Sequence, residues 1–344
     1  MKKRLRLIAV LALTATLILA VLAATALGTV SVPLRRVAGI LTARFANPRA
    51  LASWPEGEVT IILQLRLPRV LTAAVVGIAL AAAGVIFQGL LRNPMADPYI
   101  IGTSGGAALG ATVALLLPWR FVWLGFTPVP VMAFLGAVIA VLIVYNIARV
   151  GPRTPITTLL LSGFAFSSIM AAVMSFLMLL SGHTLRRIVL WTMGGIGASG
   201  WQQLMVVTPL IATGLLLAYG LSSDLNVFLL GEEQAAHLGI QVEQRKLTLL
   251  VLGSLLTGAA VSVSGLVGFV GLVIPHVARL IFGPDHRLLL PTAALSGGIF
   301  LVLADLLARL LLAPSEIPVG TVTALVGAPF FIYLLRQSKK EYTF

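Results

Sequence analysis

The stretch from Val70 to Leu91 contains no charged residue. At ~1.5 Å per residue it is long enough to cross the ~30 Å hydrocarbon core of a bilayer. Arg66 and Arg69 flank it on one side, and a polar turn from Arg92 to Pro98 follows, with two prolines that cannot continue a helix. The pattern of crossing, turn and crossing then recurs. Apolar runs cover residues 7–30, 67–91, 99–118, 128–148, 155–180, 202–221, 247–264, 268–282, 289–312 and 318–335. In lipid the backbone must satisfy its own hydrogen bonds, so each run is expected to be helical. The chain reads as an all-α polytopic membrane protein with about ten transmembrane helices. Composition excludes the alternative: with 59% hydrophobic and 10% charged residues, a water-soluble fold could not cover its surface.

Gly265, Gly268, Gly271 and Pro275 interrupt the apolar stretch that holds the seventh and eighth runs, so one of them is expected to be short or broken. An even number of crossings places both termini on one side, and Lys2, Lys3, Arg4, Arg336, Lys339 and Lys340 mark that side as cytoplasmic. The first run is longer than the apolar core of a signal peptide, so it is expected to remain as a helix. There is no cysteine, which removes disulfides and thiolate metal sites. The net charge of +13 lies in loops between apolar runs and forms no basic patch for nucleic acid.

The whole chain, 1–344, reads as one transmembrane domain, with the first helix and an outer loop over 1–65 and a cytoplasmic loop over 222–246. The outer loop holds Trp54-Pro55 and is expected to lie along the membrane surface. The outer side carries Arg35, Arg36, Arg44, Arg49, Arg66, Arg69, Arg120, Arg186, Arg187 and Arg309 against only Glu56, Glu58 and Glu316. Anionic lipid head groups or an acidic partner docking from outside would each account for that excess. In the inner loop, a short helix over Glu232–Leu238 is bracketed by Gly231 and Gly239. It suits docking onto a soluble partner, and a solvated connector is the plainer reading.

No GxxxxGK[ST] phosphate loop occurs, so nucleotide hydrolysis would have to come from another polypeptide. Gly195 to Gly200 matches GxGxxG, but no strand precedes it and a membrane run follows, which removes the dinucleotide context. Trp191 and Trp201 frame this turn as interfacial anchors. Gly102-Thr103-Ser104-Gly105 matches the GxSG of intramembrane serine proteases, with His276 as the available base. Met170, Met174 and Met178 form a stripe on one face of the fifth run, suited either to packing or to a path for a partly apolar solute. Asp305 and Arg309, four apart, read as a mutual ion pair, with proton coupling by Asp305 as the functional alternative. His183, Arg186 and Arg187 cluster after the fifth run, either as snorkelling side chains or as an anion-recognising rim. Gly102, Gly106 and Gly110, four apart, mark a close helix–helix approach.

Several separated stretches together resemble the permease family of iron-chelate, haem and cobalamin ABC importers. They are RLPRVL with Gly84, Gln88, Asn93-Pro94 and Asp97-Pro98, then GTSGGAALG, LLLSG, WTMGGIG, GEEQAAHLGI, GLVGFVGLVIPHVARL, DHRLLLP, ADLLAR and IPVGTVTALVGAPFF. They cover nearly the whole chain from Arg66 onward. The resemblance implies the type II ABC importer permease fold, a homodimer in the bacterial inner membrane, two cytoplasmic ATPase subunits and a periplasmic substrate-binding protein. ATP and Mg would sit on the ATPase, with no cofactor in this chain. It implies ATPase coupling through Gly231, Glu232, Glu233, Ala235, Ala236, His237, Leu238 and Gly239. It implies binding-protein docking at Arg66, Arg69 and Arg309, and a path gated by the fifth run and the segment around Trp191. The expected cargo is a metal chelate, haem first, with cobalamin and ferric siderophores as alternatives. An ion-coupled secondary transporter is the expectation from a different class.

Overall fold

The computed structural model describes residues 3–197 and 200–339. Its helices are α1 (Lys3–Ala26), α2 (Leu34–Ala46), α3 (Glu56–Thr60), α4 (Leu67–Leu90), α5 (Thr103–Leu116), α6 (Pro128–Ala148), α7 (Ile156–Leu180), α8 (Leu185–Thr192), α9 (Trp201–Gly220), α10 (Ser222–Phe228), α11 (Glu232–His237), α12 (Val242–Ser264), α13 (Val270–Phe282), α14 (His286–Leu310) and α15 (Val319–Lys339). Among the described residues, seven helical stretches are long and apolar enough to cross a membrane, and α5, α13 and Val319–Tyr333 of α15 are shorter apolar helices. Together they occupy the ten apolar runs of the sequence.

The core is organised on α4, which is buried over nearly its whole length and packs against α14, α12, α13, α1 and α9. Small residues make this possible. Gly77 faces the carbonyl of Gly297 on α14, and Gly84 faces that of Gly271 on α13, so the backbones touch where a side chain would separate them. At the other extreme, α7 buries only Leu159 and Gly163 and presents Leu161, Phe164, Ile169, Val173, Phe176, Leu179 and Leu180 outward.

Between α12 and α13 the chain runs without helix from Gly265 to Phe269, and both of those residues have positive φ, +63° and +67°. The broken helix anticipated at the glycines is therefore present. With 13 residues, α13 spans only ~20 Å. Backbone in such a break must be satisfied from within the protein. The Tyr99 phenol does this for Val267, donating to its carbonyl at 3.0 Å and accepting from its N–H at 3.2 Å.

Residues 31–65, expected as a loop, are largely helical, with a 3₁₀ turn over Pro48–Ser53 between α2 and α3. Val37 and Ile40 of α2 are buried with Ile62, Leu63 and Leu67, Ala43 is also buried, and Trp54 packs on Gly39. Glu56 to Leu90 also forms one continuous stretch of helix. Pro68 does not end it because a π-turn over Ile61–Arg66 precedes it, with Leu67 N–H bonded to the Ile62 carbonyl. That wider turn takes up the irregularity a proline imposes.

Candidate functional site

Arg66 and Arg69 at one end of α4 are separated from Arg92 at the other by its whole 24-residue length, ~36 Å. A charged cluster is built at each end.

At the Arg69 end, Asp305 of α14 is wholly buried. Arg69 donates to it through Nε at 3.0 Å, and Arg309, one turn along α14, pairs with it at 3.0 Å. The expected Asp305–Arg309 pair is present, enlarged by Arg69 from a distant helix. Arg69 also forks onto Glu316, at 3.0 and 2.9 Å. Arg66 and Arg309 have a second task. A helix leaves its last carbonyls without partners, and α1 ends in Ala-Thr-Ala with no capping side chain. Arg309 donates to the Ala24 carbonyl at 3.1 Å, and Arg66 donates to those of Ala26, at 3.1 Å, and Val30. The guanidiniums thus lie at the negative end of that helix dipole. Arg66, Arg69, Arg309 and Glu316 line one cleft of about 290 Å³, shared with Gly28, Gln64 and Gly197. In this conformation Arg66 and Arg309 are nearly buried, while Arg35, Arg36, Arg44 and Arg49 nearby in sequence are exposed.

At the opposite end, α11 runs from Glu232 to His237, with Gly231 at φ +112° turning the chain into it. Ala235 and Gly231 are buried, while Glu233, Ala236, His237, Leu238 and Gly239 are exposed. Glu232 is held by Lys246 of α12, 1% exposed, at 3.0 Å. The same ammonium donates to the Thr154 carbonyl at 2.8 Å and pairs with Glu243 at 3.1 Å. Glu243 in turn accepts from Thr154 N–H at 3.0 Å. A cleft of about 640 Å³ opens here, lined by Arg92, Arg153, Glu232, Glu233, Gln234, His237 and Glu243. The preceding α10 is fixed to α14: Asn226 donates to Asp285 at 2.9 Å and accepts from the His286 backbone N–H at 2.8 Å. The Asn226 amide, the Arg287 N–H and Arg6 together hold the Asp285 carboxyl below the usual carboxylate range.

The remaining sequence-derived residues are dispersed. Met170 packs beside Gly105 of α5, and Met174 and Met178 are half-buried, so the stripe is an edge of α7 and not its outward face. His183, Arg186 and Arg187 are exposed around the start of α8. Trp191 and Arg187 line a separate cavity of about 430 Å³ with Gln203 and Gly265. Trp201 donates its indole N–H to the Leu63 carbonyl at 2.8 Å. Gly106 meets the Gly136 carbonyl and Gly110 that of Met132, both on α6, whereas Gly102 caps α5 at φ +87° beside Phe166. Among the described residues no hydrogen bond joins Ser104 to His276, whose Nδ1 is buried without a partner. Ala198 and Ser199 of the GxGxxG match lie outside the described residues. Tyr99, Lys246 and Glu316 were not singled out from the sequence. Only Lys246 carried a local signal, its i,i+3 spacing from Glu243.

This arrangement has known counterparts. The sequence is 48% identical to the cobalamin import system permease protein BtuC of Halobacterium salinarum, over 86% of this chain and 79% of that protein. It is 44% identical to the hemin transport system permease protein HmuU of Yersinia pestis, over 82% and 84%. Among solved structures, a chain of a metal-chelate type ABC transporter in an inward-facing conformation superposes with a TM-score of 0.81 at 31% identity, covering 95% of this chain and 98% of that one. The fold is the type II ABC importer permease fold. Residues 16–337 match the FecCD transport family, and the chain belongs to it.

Proposed function

We propose that this chain is the membrane permease subunit of an ATP-driven importer carrying a bulky metal chelate from the periplasm to the cytoplasm. The observation that supports the reading is that two charged clusters lie at opposite ends of one buried helix, Arg66, Arg69 and Arg309 at one and α11 at the other. The outer arginines dock carboxylates of a soluble substrate-binding protein. Glu233, Ala236, His237 and Leu238, exposed on and beside α11, engage one of two ATPase subunits, which bind ATP and Mg. The apolar face of α7 meets a second copy of the chain, and the path runs between the copies, past Met170, Met174, Met178 and the α8 segment with Trp191. Closure of the ATPases moves α11, and the packed helices carry that movement to the outer face. The chain itself breaks no covalent bond. Asp305, held between two arginines, acts as a fixed anion and not as an ion-coupling site.

Haem is the proposed cargo, because His183, Arg186 and Arg187 present an exposed imidazole and two guanidiniums suited to propionates. The Halobacterium salinarum relative supports cobalamin as the second reading. Proteoliposomes holding the permease and its ATPase, supplied with haem- or cobalamin-loaded binding protein, are expected to accumulate one chelate when ATP is present. Uptake driven by a proton gradient without the ATPase would overturn the proposal.

A further inference from the structure

The outer cleft is already occupied by part of the chain itself. Its two carboxylates are not equivalent: the Asp305 side chain is fully buried between Arg69 and Arg309, whereas that of Glu316 is 44% exposed. Glu316 lies on the non-helical turn between α14 and α15, three residues before Val319, where α15 begins. Among the described residues Arg69 is the one side chain it bonds, through both carboxylate oxygens onto a single guanidinium nitrogen. Its neighbour Ile317 is fixed independently, with the backbone N–H on the Ala308 carbonyl at 3.0 Å. The glutamate can therefore leave Arg69 without unravelling the turn. The Glu316 carboxylate is open to solvent although Arg69 is only 13% exposed, so another carboxylate arriving from solvent can exchange with it.

We propose that Glu316 is an internal stand-in for the partner's carboxylate, occupying Arg69 while the permease is alone and being displaced when the acidic binding protein docks. This rests on the docking role of the outer arginines. Displacement does two things at once. It makes docking a carboxylate exchange at Arg69, which lowers the apparent affinity by the fraction of time Glu316 occupies the guanidinium. It also frees the Glu316 side chain three residues before α15 while the Ile317–Ala308 bond keeps the turn in place, so that docking changes the ionic contacts at a helix end and not only at the surface. Gly197, in the segment following α8, lies beside the same Arg69–Glu316 pair, so both segments meet at the exchange point.

The test measures the affinity of the soluble chelate-binding protein of the same uptake system for the permease in lipid nanodiscs. Glu316→Gln is expected to tighten it about two- to fivefold, and Arg69→Gln to weaken it, with no further effect of Glu316→Gln in the Arg69→Gln background. If Arg69→Gln weakens docking while Glu316→Gln leaves it unchanged or weakens it, the exchange is overturned and the docking role stands. If neutralising Arg66, Arg69 and Arg309 leaves the affinity unchanged, both fall. A second readout uses the absence of native cysteine. A spin label at Ser315→Cys is expected to gain mobility when the binding protein is added, and to be mobile beforehand in Glu316→Gln. A label whose mobility is the same in all these states would also overturn the exchange.

Discussion

Lys246 reaches Glu232 across the base of the inner loop, nitrogen to oxygen at 3.0 Å, with only 1% of the lysine exposed. An ammonium has three protons to place, and here Glu232, Glu243 and the Thr154 carbonyl receive them. These acceptors come from α11, from α12 and from the turn between α6 and α7. The short helix is thus tied to α12 and to the α6–α7 turn through one buried cation. A push on α11 is passed directly to α12, whose far end is the break at Gly265.

Replacing Lys246 by methionine keeps most of the side-chain volume and removes the charge. It leaves Glu232 and Glu243 facing each other without a cation, and breaking a buried pair in this way costs about 3–5 kcal/mol. Both glutamates are partly exposed, so the lower end of that range is expected. Thermal unfolding in detergent should show the loss. The sharper outcome concerns coupling: ATP hydrolysis by the assembled transporter should continue while chelate uptake falls at least tenfold. Uptake that stayed in step with hydrolysis would mean that α11 does not act through this contact.

Tyr99→Phe removes a hydroxyl that serves both polar groups of Val267. The aromatic packing is retained, but a buried N–H and a buried carbonyl lose their partner, a penalty of about 1–3 kcal/mol. Because the break interrupts the helical ladder between α12 and α13, the effect should be local. Hydrogen exchange across residues 265–269 is expected to accelerate at least fivefold, with exchange in α4 unchanged. Equal acceleration in both would show a global loss of stability and not a local pin.

The contrast between these residues shows what a sequence can display. The ten apolar helices were legible because each follows an apolar run, and the break near Gly265 because glycines and Pro275 interrupt one. The Asp305–Arg309 pair was legible because the partners stand one helical turn apart. The Arg69–Glu316 pair joins residues 247 apart and leaves no local trace. The same holds for Tyr99 and Val267, 168 apart. The inward face of α2 was obscured because Val37, Ile40 and Ala43 are interleaved with arginines and short polar residues. Continuation of the helix through Pro68 went unseen for a different reason: a π-turn is a backbone adjustment that no residue type announces.

The turn before Tyr99 carries a titration that should be measurable. Burial pushes the Asp97 carboxyl up from 3.8 to about 6, against a single opposing hydrogen bond from the Tyr99 N–H. A raised folded value means that the folded chain keeps a proton which the unfolded chain has released. The stability from this group is therefore full below about pH 4 and is lost as pH rises through about 6. Asp97→Asn keeps an oxygen for the Tyr99 N–H and removes the proton. Its melting temperature relative to wild type should rise between about pH 4 and 7 and level off above. A difference that stays constant with pH would assign the change to packing alone.

Close approach of α5 and α6 rests on two glycines that face each other. A Cβ on Gly106 would fall against the Gly136 carbonyl, and one on Gly136 against that of Gly106. The obstructing atoms are backbone, so no rotamer change can make room; the helices must separate. Gly106→Val adds three carbons where the structure has space for none, and overpacking of this kind costs about 1–3 kcal/mol or more. Alanine at the same position adds one carbon and should cost less, which separates a steric cause from a change in helix propensity, since alanine favours a helix by about 1 kcal/mol over glycine. The expected order of melting temperature is glycine, then alanine, then valine, with the double variant Gly106→Ala, Gly136→Ala below either single one. An alanine variant more stable than the parent would mean that the two helices have room between them, and that their contact is not set by backbone against backbone.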